Sequence, residues 1–90
     1  MQSTRYIVRG RVQGVGFRYF VSRMADAFDI TGLVRNMTDG SVEIVATGSP
    51  ENLRSFREQV EIGPSGARVD RVTAEEIEER RFERFEVIRL

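Results

Sequence analysis

Apolar and polar positions alternate along the first dozen residues of the chain. Tyr6, Val8, Gly10 and Val12 fall on one side, and Arg5, Ile7, Arg9 and Arg11 on the other. That alternation predicts a strand over Thr4–Val12 with one face buried. The period then lengthens. Phe20, Val21, Met24, Ala25 and Phe28 recur at helical spacing, which predicts a helix over Phe17–Phe28 with one apolar stripe. Ile30–Met37 reads as a second strand and Thr38-Asp39-Gly40 as a turn, Asp-Gly being a strong hairpin signal. In the third strand, Ser41–Thr47, Val42, Ile44 and Ala46 face in while Glu43 and Thr47 face out. Ser49-Pro50-Glu51 starts a second helix, with Ser49 as N-cap, Pro50 in the first helical position and Glu51 at the positive end. Leu53, Phe56 and Val60 line its buried face, and Gly63–Gly66 is a loop. In the fourth strand, Ala67–Ile77, the apolar spacing slips between Val69 and Val72, which predicts a bulge. Glu78–Glu83 reads as a charged turn and Phe85–Leu90 as a short last strand.

The element order β-α-β-β-α-β plus a terminal strand is that of an α+β, ferredoxin-like split β-α-β fold. Right-handed crossovers put both helices on one face of an antiparallel sheet with strand order 4-1-3-2. Strands 1 and 2 then run in the same direction, and their C-terminal ends share one edge. Gln13 and Asn36 are thereby brought to the same end of the sheet. On the open face, Arg5, Arg9 and Arg11 come within reach of Glu43.

Composition narrows the chemistry. Ninety residues predict a single domain over 1–90, and 40% hydrophobic content marks it as globular. Cysteine is absent, so no disulfide or thiolate metal site can form. Histidine is absent too, which removes the commonest general base and metal ligand. Fourteen basic and 14 acidic residues cancel, leaving no general attraction to nucleic acid or an anionic membrane. Without a signal peptide or a long apolar run, the expected location is cytoplasmic. All 14 basic residues are arginine. An anion site here must therefore use arginine or backbone N–H groups.

The stretch Gly10-Arg-Val-Gln-Gly-Val-Gly-Phe-Arg18 holds three glycines within seven residues and ends where the first helix begins. Loop N–H groups, a helix N-terminus and a guanidinium converge there, as a phosphate-sized anion requires. The dinucleotide fingerprint fails because position 19 is tyrosine, and the Walker pattern fails for want of a lysine. An arginine at the positive end of a helix is unfavourable unless an anion lies beside it. Taken alone, the loop serves equally as a tight strand-to-helix connection. Asn36, taken alone, serves equally as a turn initiator.

Asn36 follows Arg18 by 18 residues, within Val34-Arg-Asn-Met-Thr-Asp-Gly-Ser-Val-Glu43. These two runs, and their spacing, resemble the acylphosphatase family, whose patterns read roughly G-x-V-Q-G-V-x-F-R and R-N-x-x-D-G-x-V-E. The likeness extends over nearly the whole chain. It implies a last strand beyond strand 2, and hydrolysis of the carboxyl–phosphate bond of acyl phosphates. It assigns phosphate binding to the loop Gln13, Gly14, Val15, Gly16, Phe17 and Arg18, and catalysis to Arg18 and Asn36, the asparagine orienting a water. A carboxylate leaving group, with a conjugate acid of pKa about 4, needs no general acid, which suits a site without histidine. The expected ligands are a small-molecule acyl phosphate and inorganic phosphate or sulfate. No metal, cofactor, nucleic acid or membrane is expected, and the chain is expected to be a monomer. Two other classes share the topology. An RNA-recognition module needs aromatics on strands 1 and 3, and Ser41–Thr47 has none. A non-catalytic small-molecule or anion-binding regulatory module of ferredoxin-like fold is the alternative reading.

Overall fold

A computed structural model describes residues 1–89. Seven elements follow in the expected order: β1 (Gln2–Arg11), α1 (Phe17–Ala27), β2 (Thr31–Asn36), β3 (Val42–Gly48), α2 (Pro50–Ile62), β4 (Arg68–Ile77) and β5 (Phe85–Ile88). The last expected strand residue, Leu90, lies outside the described residues. The alternation of β1 puts Tyr6 and Val8 in the core, and Val12, just past its end, is buried with them. Phe17, Val21 and Ala25 of α1 and Leu53, Phe56 and Val60 of α2 close over them. Tyr6 meets Phe56 edge-on with ring centroids 6.0 Å apart, and Phe56 meets Phe85 at 6.4 Å. Tyr6 is thus committed to packing, which leaves no stacking platform of the RNA-recognition kind on β1.

The sheet order is β4-β1-β3-β2-β5. β3 pairs antiparallel with both β1 and β2, so β1 and β2 share a direction and end at the same edge. Arg9 lies opposite Arg71 but Gly10 opposite Val69. Asp70 is the extra residue, and the expected bulge sits there. One expectation needs correction. The sheet is mixed rather than wholly antiparallel, because β5 runs parallel to β2, from Gly32 opposite Phe85 to Arg35 opposite Ile88. The chain reverses after β4 and crosses to the far edge, so β5 must run against β4 and therefore with β2.

That crossing also changes the open face. Glu43 and Thr47 do point away from the helices, yet they are only 6% and 7% exposed. The charged turn after β4 is a strap. The Arg80 N–H donates to Ser3 Oγ at 2.9 Å, and Thr47 Oγ1 donates to the Arg80 carbonyl at 2.8 Å. Glu43 accepts from Arg5 Nε at 2.5 Å and from Arg35 Nε at 2.6 Å. Burial pushes the Glu43 carboxyl up, but hydrogen bonds from Arg35 and Arg5 outweigh it and hold it below its ordinary value. Arg9 pairs with Asp39 at 3.1 Å instead of Glu43, since β1 pairs with β3 only as far as Val8 opposite Val42. Arg11, further along, makes no ion pair among the described residues. Among these residues no helix is long and apolar enough to cross a membrane.

Candidate active site

The loop between β1 and α1 takes a backbone path open to few residues. Gly14 has φ 74° and Gly16 φ 76°. Nothing lies within 4 Å of a Cβ built on either one. The glycines answer to the left-handed conformation, not to crowding. Turns of this kind point successive N–H groups to one side as an anion-binding concavity. Gly16 is also the N-cap of α1, where no side-chain cap exists and the first turn carries no acid. The positive end of this helix is left unneutralised by the chain itself.

A cavity of about 190 Å³ opens at this point, at the end of the sheet where β1 and β2 both finish. Gly14, Gly16, Phe17 and Arg18 line it from the loop and helix, and Asn36 lines it from β2. The structure thus brings together Arg18 and Asn36, the two residues singled out in the sequence as catalytic. Gln13 and Val15 are not among the lining residues. Gln13 does something else: its Nε2 donates to the Met37 carbonyl at 2.8 Å and to the Ser41 carbonyl at 2.9 Å. It ties the glycine loop to the turn that follows Asn36, and so sets the distance between the two halves of the site.

The turn is rigid in its own right. Asp39 Oδ1 accepts from the Ser41 N–H at 3.0 Å and from Ser41 Oγ at 2.6 Å. With Arg9 beside its other oxygen, these bonds pull the Asp39 carboxyl down from 3.8 to about 2. Arg18 is steadied from a direction that sequence reasoning missed. Its Nη1 donates to the Ile88 carbonyl of β5 at 2.7 Å. One N–H of the guanidinium is used, and the rest of the fork stays available for an anion. Val12, Tyr19, Val87 and Arg89 complete the lining and were not singled out in the sequence as site residues. Tyr19 adjoins the motif, and Val87 and Arg89 follow from placing β5 beside β2. Arg18 and Arg89 line the cavity with no acidic residue between them, so its potential is positive.

Asn36 supplies the most specific feature. Its Oδ1 is buried and has no hydrogen-bond partner, the one such side-chain atom among the described residues. A buried acceptor left unmet costs roughly 1–3 kcal/mol. Asn36 lines the cavity, and a ligand or water that reaches this atom and donates to it removes that cost.

These features define a small α+β domain with an arginine-lined cavity at the start of its first helix. Comparison with known proteins assigns the lineage. The Acylphosphatase family profile matches residues 4–87. An acylphosphatase of Bacillus licheniformis is 49% identical over 79 residues, covering 88% of each chain. The crystal structure of acylphosphatase from Bacillus subtilis superposes with a TM-score of 0.90 at 43% identity, over 99% of this chain and 100% of that one. An acylphosphatase from Coxiella burnetii superposes with a TM-score of 0.93 at 36% identity, over 97% and 92%. The chain belongs to the acylphosphatase family.

Proposed function

We propose that this cavity hydrolyses the carboxyl–phosphate bond of acyl phosphates. The observation that carries the reading is the pairing, in one cavity, of an anion cradle with a buried, unmet acceptor on Asn36. Loop N–H groups and the free part of the Arg18 fork take the phosphoryl oxygens and neutralise charge as it shifts in the transition state. Asn36 Oδ1 accepts a hydrogen bond from a water and holds it in line with the scissile P–O bond. The water oxygen attacks phosphorus, the bond to the acyl oxygen breaks, and the carboxylate leaves with the electron pair. The water's proton passes to a phosphoryl oxygen, so the products are a carboxylate and inorganic phosphate. Neither histidine nor a general acid is called for. The same reading takes residues 1–90 as one domain acting as a cytosolic monomer, with inorganic phosphate or sulfate as a second ligand of the cradle.

Turnover of acetyl and benzoyl phosphate by the purified chain, set beside p-nitrophenyl phosphate, is the test. Acyl phosphates should be cleaved much faster than the monoester, since nitrophenolate is a stronger base and a poorer leaving group than a carboxylate. Activity should survive exhaustive EDTA. Comparable turnover of the monoester would overturn the mechanism, as would EDTA inactivation reversed by Mg²⁺. A regulatory module would bind phosphate and turn over neither substrate.

A further inference from the structure

The sheet carries a second apolar surface, on the side away from the helices. Val45 is buried there, and Leu33, Ile77 and Ile88 are half-buried. None of the four belongs to the core beneath α1 and α2. They form the floor of a groove of about 380 Å³, within the range of about 300–1,000 Å³ usual for small-molecule sites. Three arginines stand round it: Arg5 on β1, Arg35 on β2 and Arg80 on the strap. Its one acid is Glu43, whose carboxyl is already shared between Arg5 and Arg35 at 2.5 and 2.6 Å. Each of these two arginines spends only its Nε on that bond, and its Nη groups make no other hydrogen bond among the described residues. Arg80 is steadied by the Phe82 ring, with Cζ 5.0 Å from the centroid. The outward register also places Glu75 opposite Arg5 and Glu86 opposite Leu33. Neither lines the groove, and neither ion-pairs with its arginines. Positive charge is therefore left in excess over an apolar floor, in a chain whose total charge is zero.

We propose that this groove is a second ligand site, separate from the cradle, and that it takes a free carboxylate carrying a medium-length apolar chain. A guanidinium fork matches the plane of a carboxylate. The Nη groups of Arg5 and Arg35, with Arg80 across from them, supply the donors. The chain then lies on the half-buried floor and displaces water from it. Both halves of the ligand answer to the lining. An inorganic anion leaves the floor wet, and a neutral apolar molecule leaves the guanidinium charge unmet. The strap closes one side through Arg80, held at its backbone by Ser3 and Thr47. The space suits one dissolved molecule rather than a lipid surface. Val87 lines the cradle and Ile88 lines the groove, because successive residues of β5 face opposite sides of the sheet. The two cavities share no lining residue and can be filled together.

Titration calorimetry with octanoate, butanoate and octylammonium tests head and chain separately. Octanoate should bind at one site per chain. It should bind at least about tenfold more tightly than butanoate, each buried methylene being worth about fourfold. Octylammonium, with the same chain and the opposite charge, should not bind. Saturating phosphate should leave the Kd for octanoate unchanged. Arg80→Ala should weaken octanoate about tenfold or more, the scale of one charged hydrogen bond. This variant keeps its strap, because Arg80 bonds Ser3 and Thr47 through its own N–H and carbonyl. Arg5→Gln should weaken octanoate similarly, with Glu43 still paired to Arg35; should it fail to fold, Arg80→Ala decides alone. Leu33→Ser should narrow the gap between octanoate and butanoate. Competition by phosphate overturns the proposal by placing the carboxylate in the cradle. Equal binding of octylammonium overturns it by removing the arginines from recognition. Full affinity in the arginine variants, a chain-length gap untouched by Leu33→Ser, or no binding at millimolar octanoate would each do the same.

Discussion

The two helices of this protein begin in opposite ways. At α2, Ser49 Oγ accepts from the Asn52 N–H at 3.1 Å, Pro50 occupies the start and Glu51 sits in the first turn. An N-cap, a proline at the first position and an early acid are all present. At α1 the cap is a glycine at φ 76° with no side chain to offer, the first turn holds no acid, and Arg18 adds positive charge. Forgoing a cap costs about 0.5–2 kcal/mol, and a cation at the positive end costs about 0.3–1 kcal/mol more. One partner of α1 comes from elsewhere in the chain, the Ile88 carbonyl for one N–H of Arg18; in the proposed function a phosphoryl group takes the rest. Under the proposed function, the helix start without local stabilisation is the place where a ligand completes the structure.

The sharpest way to break this contrast is Arg18→Ala. Each charged hydrogen bond to a phosphoryl oxygen is worth about 1.5–3 kcal/mol, or roughly 10- to 150-fold, so kcat and phosphate affinity should both fall. Arg18→Lys should rescue poorly, for lack of the planar fork. Steady-state kinetics and phosphate inhibition together read this out, and near-normal values for Arg18→Ala would remove the residue from the site. Asn36→Ala comes next. It should lower kcat by about 10²-fold, the scale for one preorganised polar group, while inhibition by phosphate stays close to wild type. An equal loss of phosphate affinity would make Asn36 part of the cradle rather than the holder of the water.

Phosphate itself should repair the α1 start. At 100 times Kd it should add about 2.7 kcal/mol, a rise of roughly 10 °C or more in Tm for a domain of this size. Chloride at equal ionic strength should give far less. The rise should vanish in Arg18→Ala and persist in Arg54→Ala on α2; scanning calorimetry decides between them. Ser49→Ala is the mirror experiment on α2. Losing that cap should cost about 1 kcal/mol, roughly 4–8 °C in Tm, with kcat unchanged. A loss of activity in this variant would mean that the two helix starts are coupled.

The smallest effect leaves both helix starts alone. Asp39 is held at about 2 against an ordinary 3.8, by Ser41 and then Arg9, and Glu43 is lowered as well. A lowered carboxyl stabilises the fold fully above its unfolded value and loses that contribution as pH falls through its folded value. Stability should therefore decline between 3.8 and about 2. In Asp39→Asn the decline should be shallower, as followed by urea midpoints at stepped pH. Identical slopes for the two proteins would show that the bonds of Asp39 persist in the unfolded chain.

Whatever depends on a few neighbouring residues could be read from the chain alone. The seven elements lie within a residue or two of their expected bounds, because alternation, helical stripes, Asp39-Gly40 and the Ser49 cap act over one turn or less. The bulge at Asp70 was visible as a slip between Val69 and Val72. The glycine loop and Arg18 were legible as a candidate anion cradle for the same local reason, and the right-handed crossovers placed Asn36 beside them, but only the family resemblance gave these residues their expected roles. The partners these groups meet depend on long-range packing. Arg18 is held by a carbonyl 70 residues away, Gln13 secures a turn 24 and 28 residues on, and Arg80 closes over Ser3 and Thr47. Alternation alone could not tell that Glu43, on the outward side of β3, is buried between two arginines. A residue's side of the sheet follows from the backbone period, whereas its burial depends on what the rest of the chain lays across it. Here the direction of β5 and the path of the strap were set by long-range pairing, which no short stretch of sequence encodes.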